Sequence, residues 1–481
     1  MFLARSRVHA TLVKHSNVGR TLLSRLHARP AHAGSTPAAS VTPVEKILLD
    51  TIKANGPVSF ATYMQLCLSH PTEGYYMNPA NSVIGALGDF ITSPEISQVF
   101  GELLGIWLSL QYRSTGAKHD VQLVELGPGR GTLMDDILRT LSQFPHTWGS
   151  VKHAHLVESS PALRAVQEKK LQAWDGEHGL KLHWHDSIDD VPEADGVYTM
   201  LVAHEFFDAL PFHLIEKTHQ GWKEVLITSI PDPAAKTVLR PSDVLFASQP
   251  SPSPTPLSNP SHDRSLPITQ TRFRPVLAAE PSPVSSLLGA SSPRFSSLPI
   301  GARIEVSAAS FQTSRKLGTL ISRGAGGSAL IIDYGKDHAV GNSFRAFKAH
   351  ALADPFDAPG QADLTANVDF AYLVEALAGT ATAHGPLSQR SFLLQMGIGA
   401  RIAALKRAAA SPDRARAVEK AAARLVDVMG MGREYKVLGV TGGVGGSAEE
   451  KWPFIAGEVQ DAIQTNVKES QAARCSGSDL T

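Results

Sequence analysis

The chain has 481 residues, with 45 basic side chains balanced by 45 acidic ones and a hydrophobic content of 43%. That balance excludes a strong electrostatic pull toward nucleic acid, and the composition is that of a globular protein of two or three domains or one elaborated α/β domain. Only two cysteines occur, Cys67 and Cys475, which excludes a disulfide framework or a CxxC metal site, and no apolar run is long enough to span a bilayer.

Residues 1–44 contain no Asp or Glu but carry Arg5, Arg7, Lys14, Arg20, Arg25 and Arg29 among Ser, Thr, Ala and Leu. This acid-free, hydroxyl-rich and basic composition matches a mitochondrial transit peptide, assigned to residues 1–42, with the mitochondrial matrix as the expected location; the alternative is an ordinary disordered basic tail. Thr42-Pro43-Val44-Glu45 then starts a helix with a hydroxyl cap, proline at the first position and Glu at the third. A second helical segment follows Pro57, so residues 43–115 read as a helical N-terminal region. Within it, Gly88, Asp89, Thr92 and Ser93 precede an apolar helix. Two readings stand open there: a loop over a bound ligand, or caps for that helix.

Val121-Gln122-Leu123-Val124-Glu125-Leu126 reads as a buried strand, and Gly127, Gly129, Gly131 and Thr132 open the amphipathic helix behind it. Glycines at such a turn let backbone N–H groups approach a ligand, while the helix start favours an anion. The dinucleotide fingerprint requires G-x-G-x-x-G. The spacing here is G-x-G-x-G with an acid, Glu125, two residues earlier, which resembles motif I of the class I S-adenosylmethionine-dependent methyltransferases. One strand later Glu158 ends His155-Leu156-Val157-Glu158, where it either accepts a ribose diol or caps the helix near Pro161. Asp186, after Lys181–His185, is either an adenine contact or a surface acid.

Val197–Ala203 forms the next strand, and His204-Glu205-Phe206-Phe207-Asp208 leaves its carboxyl end. In an open α/β sheet that end faces the ligand crevice, and two carboxylates there suit a cationic acceptor. The alternative is a capping role for Glu205 and a backbone hydrogen bond for Asp208. His204-Glu205 is not a zinc motif, because HExxH would need His where Asp208 stands. Residues 116–230 read as the first part of the core. Residues 231–300, rich in Ser and Pro, read as a disordered insertion. Gly301–Ile321 reads as a helix with Glu305 near its start. Residues 301–441 complete the core, with a buried strand at Ala329–Gly335, helices and loops over 344–428, and a closing strand from Tyr435. Residues 442–481 form an uninformative tail.

Taken together, Gly88–Ser97, Glu125–Leu133, Ala203–Pro211, Ile331–Gly335, Asp363–Phe370 and Gly385–Gln389 resemble the MidA-like methyltransferases. These are mitochondrial assembly factors of respiratory complex I and their bacterial relatives, some of which carry Asn where His204 stands. The Ser/Pro-rich insertion departs from the family pattern. The resemblance implies a class I S-adenosylmethionine-dependent methyltransferase fold, α/β with a mostly parallel seven-stranded sheet, a helical N-terminal addition and a helical segment before the last strand. It further implies symmetric dimethylation of an arginine on a core matrix-arm subunit of complex I. The expected cofactor residues are Glu125, Gly127, Gly129, Gly131, Glu158, Asp186, Asp89 and Thr92, and the expected catalytic pair is Glu205 and Asp208. A guanidinium has a pKa above 12, so its full deprotonation at pH 7 costs about 7 kcal/mol or more. Carboxylates that hold it as the cation and take the proton as transfer proceeds avoid that cost. A non-catalytic assembly chaperone and a small-molecule methyltransferase are the competing readings.

Overall fold

The computed structural model describes residues 41–78, 91–230, 272–442 and 451–455. Residues 1–40 of the segment read as a transit peptide, Asp89, residues 231–271 and nearly all of the C-terminal tail therefore lie outside the described residues.

Seven strands form the main path of the central sheet: β1 (Asp120–Leu126), β2 (Val151–Val157), β3 (Lys181–His185), β4 (Val197–His204), β5 (Gly327–Lys336), β6 (Ala381–Ser388) and β7 (Tyr435–Gly442), and the short strand Val368–Asp369 pairs beside the end of β5. Their spatial order is β6-β7-β5-β4-β1-β2-β3. β1 to β5 run parallel, and β7 is antiparallel to both of its neighbours. Sheets of this kind are covered on both faces, which is why β1 is buried along its length after Asp120. Val121 and Leu123 pack with Trp107, Leu133 and Ile137 from the helices Gln98–Ser114 and Thr132–Leu141. Val124 and Leu126 face the opposite layer, with Leu317, Ile321, Phe370 and Leu377 from the helices Ala308–Ser322 and Phe370–Leu377. Leu126 pairs with Val157 and Ala203, and Ile332 with His204, so the carboxyl ends of β1, β2, β4 and β5 finish on one edge.

A second, antiparallel sheet holds Val58–Ser59, Gly221–Ser229, His213–Thr218 and Arg303–Val306, with Phe273–Leu277 added on Gly221–Ser229. The N-terminal helices Pro43–Asn55 and Phe60–Ser69 pack on it through Val44, Leu48, Phe60 and Tyr63. Among the described residues no helix is long and apolar enough to cross a membrane.

Three expectations need correction. Within the supposed disordered insertion, 273–296 holds a strand and two helices, Pro283–Ala290 and Pro293–Ser296. Its serines and prolines are helix starts: Ser282 and Ser292 are N-caps, each followed by proline at the first helical position. The stretch is fixed by Phe273, edge-on to Tyr63 at 5.9 Å, and by Leu288 and Phe295 packed with Ile215 and Ile304. Next, Gly301–Ile321 is not one helix. Arg303–Val306 is a strand paired with His213–Glu216, and the helix begins only after the cap at Ser307. Finally, 344–428 contains strands as well as helices, namely β6, Val368–Asp369 and a three-stranded sheet of Ala351–Ala353, Arg345–Lys348 and Asp363–Thr365.

β2 and β3 also carry a ladder of imidazoles. His153 Nδ1 lies 3.0 Å from His183 Nε2, and His155 Nδ1 lies 2.9 Å from His185 Nε2. Each contact needs one donor and one acceptor nitrogen, so the two rings of a pair cannot both be protonated. Burial first, then the neighbouring imidazoles, push His155 down to about 3, and burial also lowers His183 and His185.

Two outcomes follow from this packing. Phe273→Ala is expected to lower stability by about 3–5 kcal/mol in urea unfolding; a change below about 0.5 kcal/mol would show the strand is not part of the core. Because the folded His155 pKa lies below its unfolded value of about 6.5, the ladder's contribution is present above that pH and is lost as pH falls toward 3. Wild type should lose about 1.4 kcal/mol through His155 between pH 8 and 5.5, and His155→Phe should flatten that dependence; parallel profiles would refute it.

Candidate active site

The four aligned strand ends open onto a cavity of about 340 Å³, a volume typical of small-molecule sites. Gly127, Gly129 and Gly131 all adopt positive φ, which lets the chain turn sharply from β1 into its helix. At Gly127 (φ 65°) a Cβ would come within 2.9 Å of the Phe206 ring, so this position requires glycine on two grounds. Gly127 and Gly129 line the cavity, whereas Gly131 sits behind them as the cap of Thr132–Leu141.

Glu125 is buried and lines the cavity, and its Oε2 has no hydrogen-bond partner among the described residues. Burial pushes its carboxyl up to about 8. A buried acid of this kind fits a cationic ligand group, whose arrival would restore the ionised form. Glu158 lines the cavity, and its oxygens accept from Ser160 N at 2.8 Å and Gln167 Nε2 at 3.3 Å, while the helix behind it is capped by Ser160, whose Oγ accepts from Leu163 N at 3.4 Å. Asp186 stands at the rim with its side chain 78% exposed and pairs with Arg164 at 2.5 Å. Thr92 also lines the cavity, and although it precedes the helix Ser93–Ile96 its hydroxyl makes no capping hydrogen bond. Asp89 lies outside the described residues. Val157, Leu163 and Ile188 supply an apolar wall.

The other end of the cavity is acidic. Glu205 leaves β4 with φ at 49°, a left-handed conformation unfavourable for a residue with a side chain. Its N–H donates to Ile332 O at 2.9 Å, and the turn after it is held by Asp333, whose Oδ2 accepts from Phe207 N at 3.0 Å and Asp208 N at 3.2 Å. The same carboxylate accepts from Tyr334 N at 2.9 Å through Oδ1. Asp333 is thus a structural clamp. Tyr435, from β7, donates its hydroxyl to Glu205 Oε1 at 2.7 Å. Burial first, then the nearby Asp208 charge, push Glu205 up to about 8 against the lowering effect of that hydroxyl.

Asp208 does not line the main cavity. Its Oδ2 accepts from Thr365 Oγ1 at 2.6 Å, and it faces a separate void of about 30 Å³, room for roughly one water molecule. The structure therefore brings Glu125, Glu158, Thr92 and Glu205 to one cavity, leaves Asp186 at its rim, and sets Asp208 behind Glu205. Phe206 walls the cavity, while Phe207 is core.

Several lining residues were missed in the sequence. Tyr76 faces the cavity and donates to Asp363 Oδ1 at 2.6 Å, and Glu95 accepts from Thr132 Oγ1 at 2.6 Å. Tyr435, which does not line the cavity, opens the chain's last core strand, and nothing in its local pattern signals its contact with Glu205.

Residues 103–387 match a family of S-adenosyl-L-methionine-dependent methyltransferases. The protein arginine methyltransferase NDUFAF7, mitochondrial, of Danio rerio is 38% identical over 406 residues, covering 80% of this chain and 85% of that protein. The Homo sapiens protein of the same name is 38% identical and covers 78% of each chain. The Drosophila melanogaster homolog is 35% identical over 92% of this chain and 95% of its own. A crystal structure from Burkholderia thailandensis, bound to S-adenosyl-homocysteine, superposes with a TM-score of 0.63 at 24% identity, covering 84% of this chain and 92% of that one. At that identity the likeness supports the fold alone. With relatives matching it over most of their length, the chain belongs to this family of S-adenosyl-L-methionine-dependent methyltransferases.

Proposed function

We propose that the chain is a protein arginine ω-N-methyltransferase of the mitochondrial matrix that acts on a core matrix-arm subunit of respiratory complex I during its assembly. The names of the relatives support the arginine acceptor and the mitochondrial setting. The MidA-like motifs support complex I and the symmetric dimethyl product. One observation carries the chemistry: a strained, buried glutamate at the end of the cofactor cavity whose pKa is raised to about 8.

The cavity fits the cofactor. Glu125 is the residue for a cationic amino group, Glu158 for the ribose diol, and Val157, Leu163 and Ile188 for the adenine ring, with Asp186 at the rim and Thr92 on the wall. The loop of Gly127, Gly129 and Gly131 gives the backbone close access. When bound, S-adenosyl-L-methionine supplies a methyl group on a positively charged sulfur.

Glu205 accepts N–H groups of the guanidinium, and the arriving cation draws its carboxyl into the ionised form. As the attacked nitrogen loses its proton, Glu205 takes it; a base with a pKa near the working pH suits that task. Asp208 acts through Glu205, as a negative charge behind it. Tyr435 holds one Glu205 oxygen and so limits how the guanidinium seats.

Transfer of labelled methyl into partly assembled complex I fractions tests this reading. Glu205→Gln should reduce transfer by about 100- to 10,000-fold with cofactor binding retained, and Gly127→Val should lose cofactor binding itself. Cofactor binding by the wild type without any labelled protein would overturn the reading in favour of an assembly chaperone; label in a small molecule alone would point to another acceptor. For the wild type, kcat/KM should rise as pH increases through about 8, because Glu205 must be ionised in the free enzyme. A profile flat from pH 6 to 9 would remove Glu205 as the base.

A further inference from the structure

His204 ends β4, immediately before Glu205, and lines the same cavity. Its side chain is only 5% exposed. The ring is fixed on two sides: Phe100 meets it edge-on at 5.0 Å, and Tyr435 stacks over it at 6.3 Å with 14° between the planes. Burial lowers its pKa to about 3, so the imidazole is neutral at physiological pH.

Its Nε2 is buried without a hydrogen-bond partner among the described residues. Buried polar atoms are rarely left so, and each such atom calls for an explanation. The nearest carboxylate oxygen is Glu205 Oε1, at 3.5 Å. That is the oxygen already receiving the Tyr435 hydroxyl. Hydrogen bonds at catalytic groups are often long in the ligand-free protein and tighten in the complex.

We propose that His204 is a positioning residue, carrying its proton on Nε2 and closing a second hydrogen bond onto Glu205 Oε1 when the guanidinium arrives. Tyr435 and His204 then grip one oxygen from two directions and leave the other for the substrate. Neutrality is what qualifies an imidazole for this place. A lysine, or a protonated histidine, would repel both the incoming guanidinium and the cofactor's sulfonium, whereas a neutral N–H steers the carboxylate without adding charge. The inference rests on the arginine reading above for the identity of the cation, but the state of Glu205 is read without any methyl transfer.

The test compares wild type, His204→Phe and His204→Gln. Phe keeps a ring between Phe100 and Tyr435 but has no donor; Gln restores an N–H. The Glu205 carboxyl is titrated by carbon NMR in the full chain carrying δ-labelled glutamate with bound S-adenosylhomocysteine and acetyl-arginine-methylamide, its signal assigned by its loss in Glu205→Gln. Methyl transfer and thermal unfolding are measured alongside. Losing a donor to the ionised carboxyl should raise the Glu205 midpoint in His204→Phe by about one unit, slowing transfer at pH 7.5 by roughly tenfold. His204→Gln should bring both back toward wild type. An unchanged midpoint in a folded His204→Phe protein overturns the proposal, as does a His204→Gln protein no better than His204→Phe. If the midpoints move as expected but wild type methylates no arginine, the arginine reading fails and takes with it the named cation, while the hydrogen bond to Glu205 is established.

Discussion

The Asp333 carboxylate, on β5 one residue past the last pair with β4, is the constraint on which the acidic end of the site depends. It is fully buried and accepts the backbone N–H groups of Phe207, Asp208 and Tyr334. Three such bonds fix a turn that would otherwise have several conformations, and they offset the cost of holding Glu205 at positive φ. The pairing of Ile332 with His204 sets the height of that turn above the sheet. A one-residue slip between β4 and β5 would move the clamp away from the loop it holds.

Electrostatics follow from the same arrangement. Glu125 and Glu205 lie at two points of one cavity, and burial raises both to about 8. Each is an acid whose ionisation awaits a cation. This matches a reaction that brings a positively charged cofactor and a positively charged acceptor together, since each charge then meets a carboxylate that water does not screen. Asp208 contributes from behind, through its effect on Glu205 rather than by contact with the cavity.

Much of this was legible in the chain. The apolar run into Gly127, Gly129 and Gly131 identified β1 and the loop, because a buried parallel strand and a tight turn both leave strong local patterns. Glu158 and Glu205 were found by their positions at strand ends. The Ser/Pro-rich segment misled for a physical reason: Ser-Pro pairs are equally the start of short helices, and 282–296 uses two of them. Glu305 was placed in a helix because a four-residue strand before a serine cap has too little periodicity to stand out. At Thr92 the sequence left a cap and a ligand contact both open, and its hydroxyl makes no capping bond, a matter of side-chain rotation that spacing does not encode.

By itself the sequence determined the class of fold, the cofactor loop and which strand ends carry acids, since each of these depends on residues within about a dozen positions of one another. Tertiary structure alone decided which acids share a cavity and what holds them. Tyr435 reaches Glu205 across 230 residues, and Asp333 clamps Asp208 across 125. Those contacts exist because β5 lies between β4 and β7, with β7 reversed, and strand order in a sheet is set by packing of whole layers rather than by any local pattern.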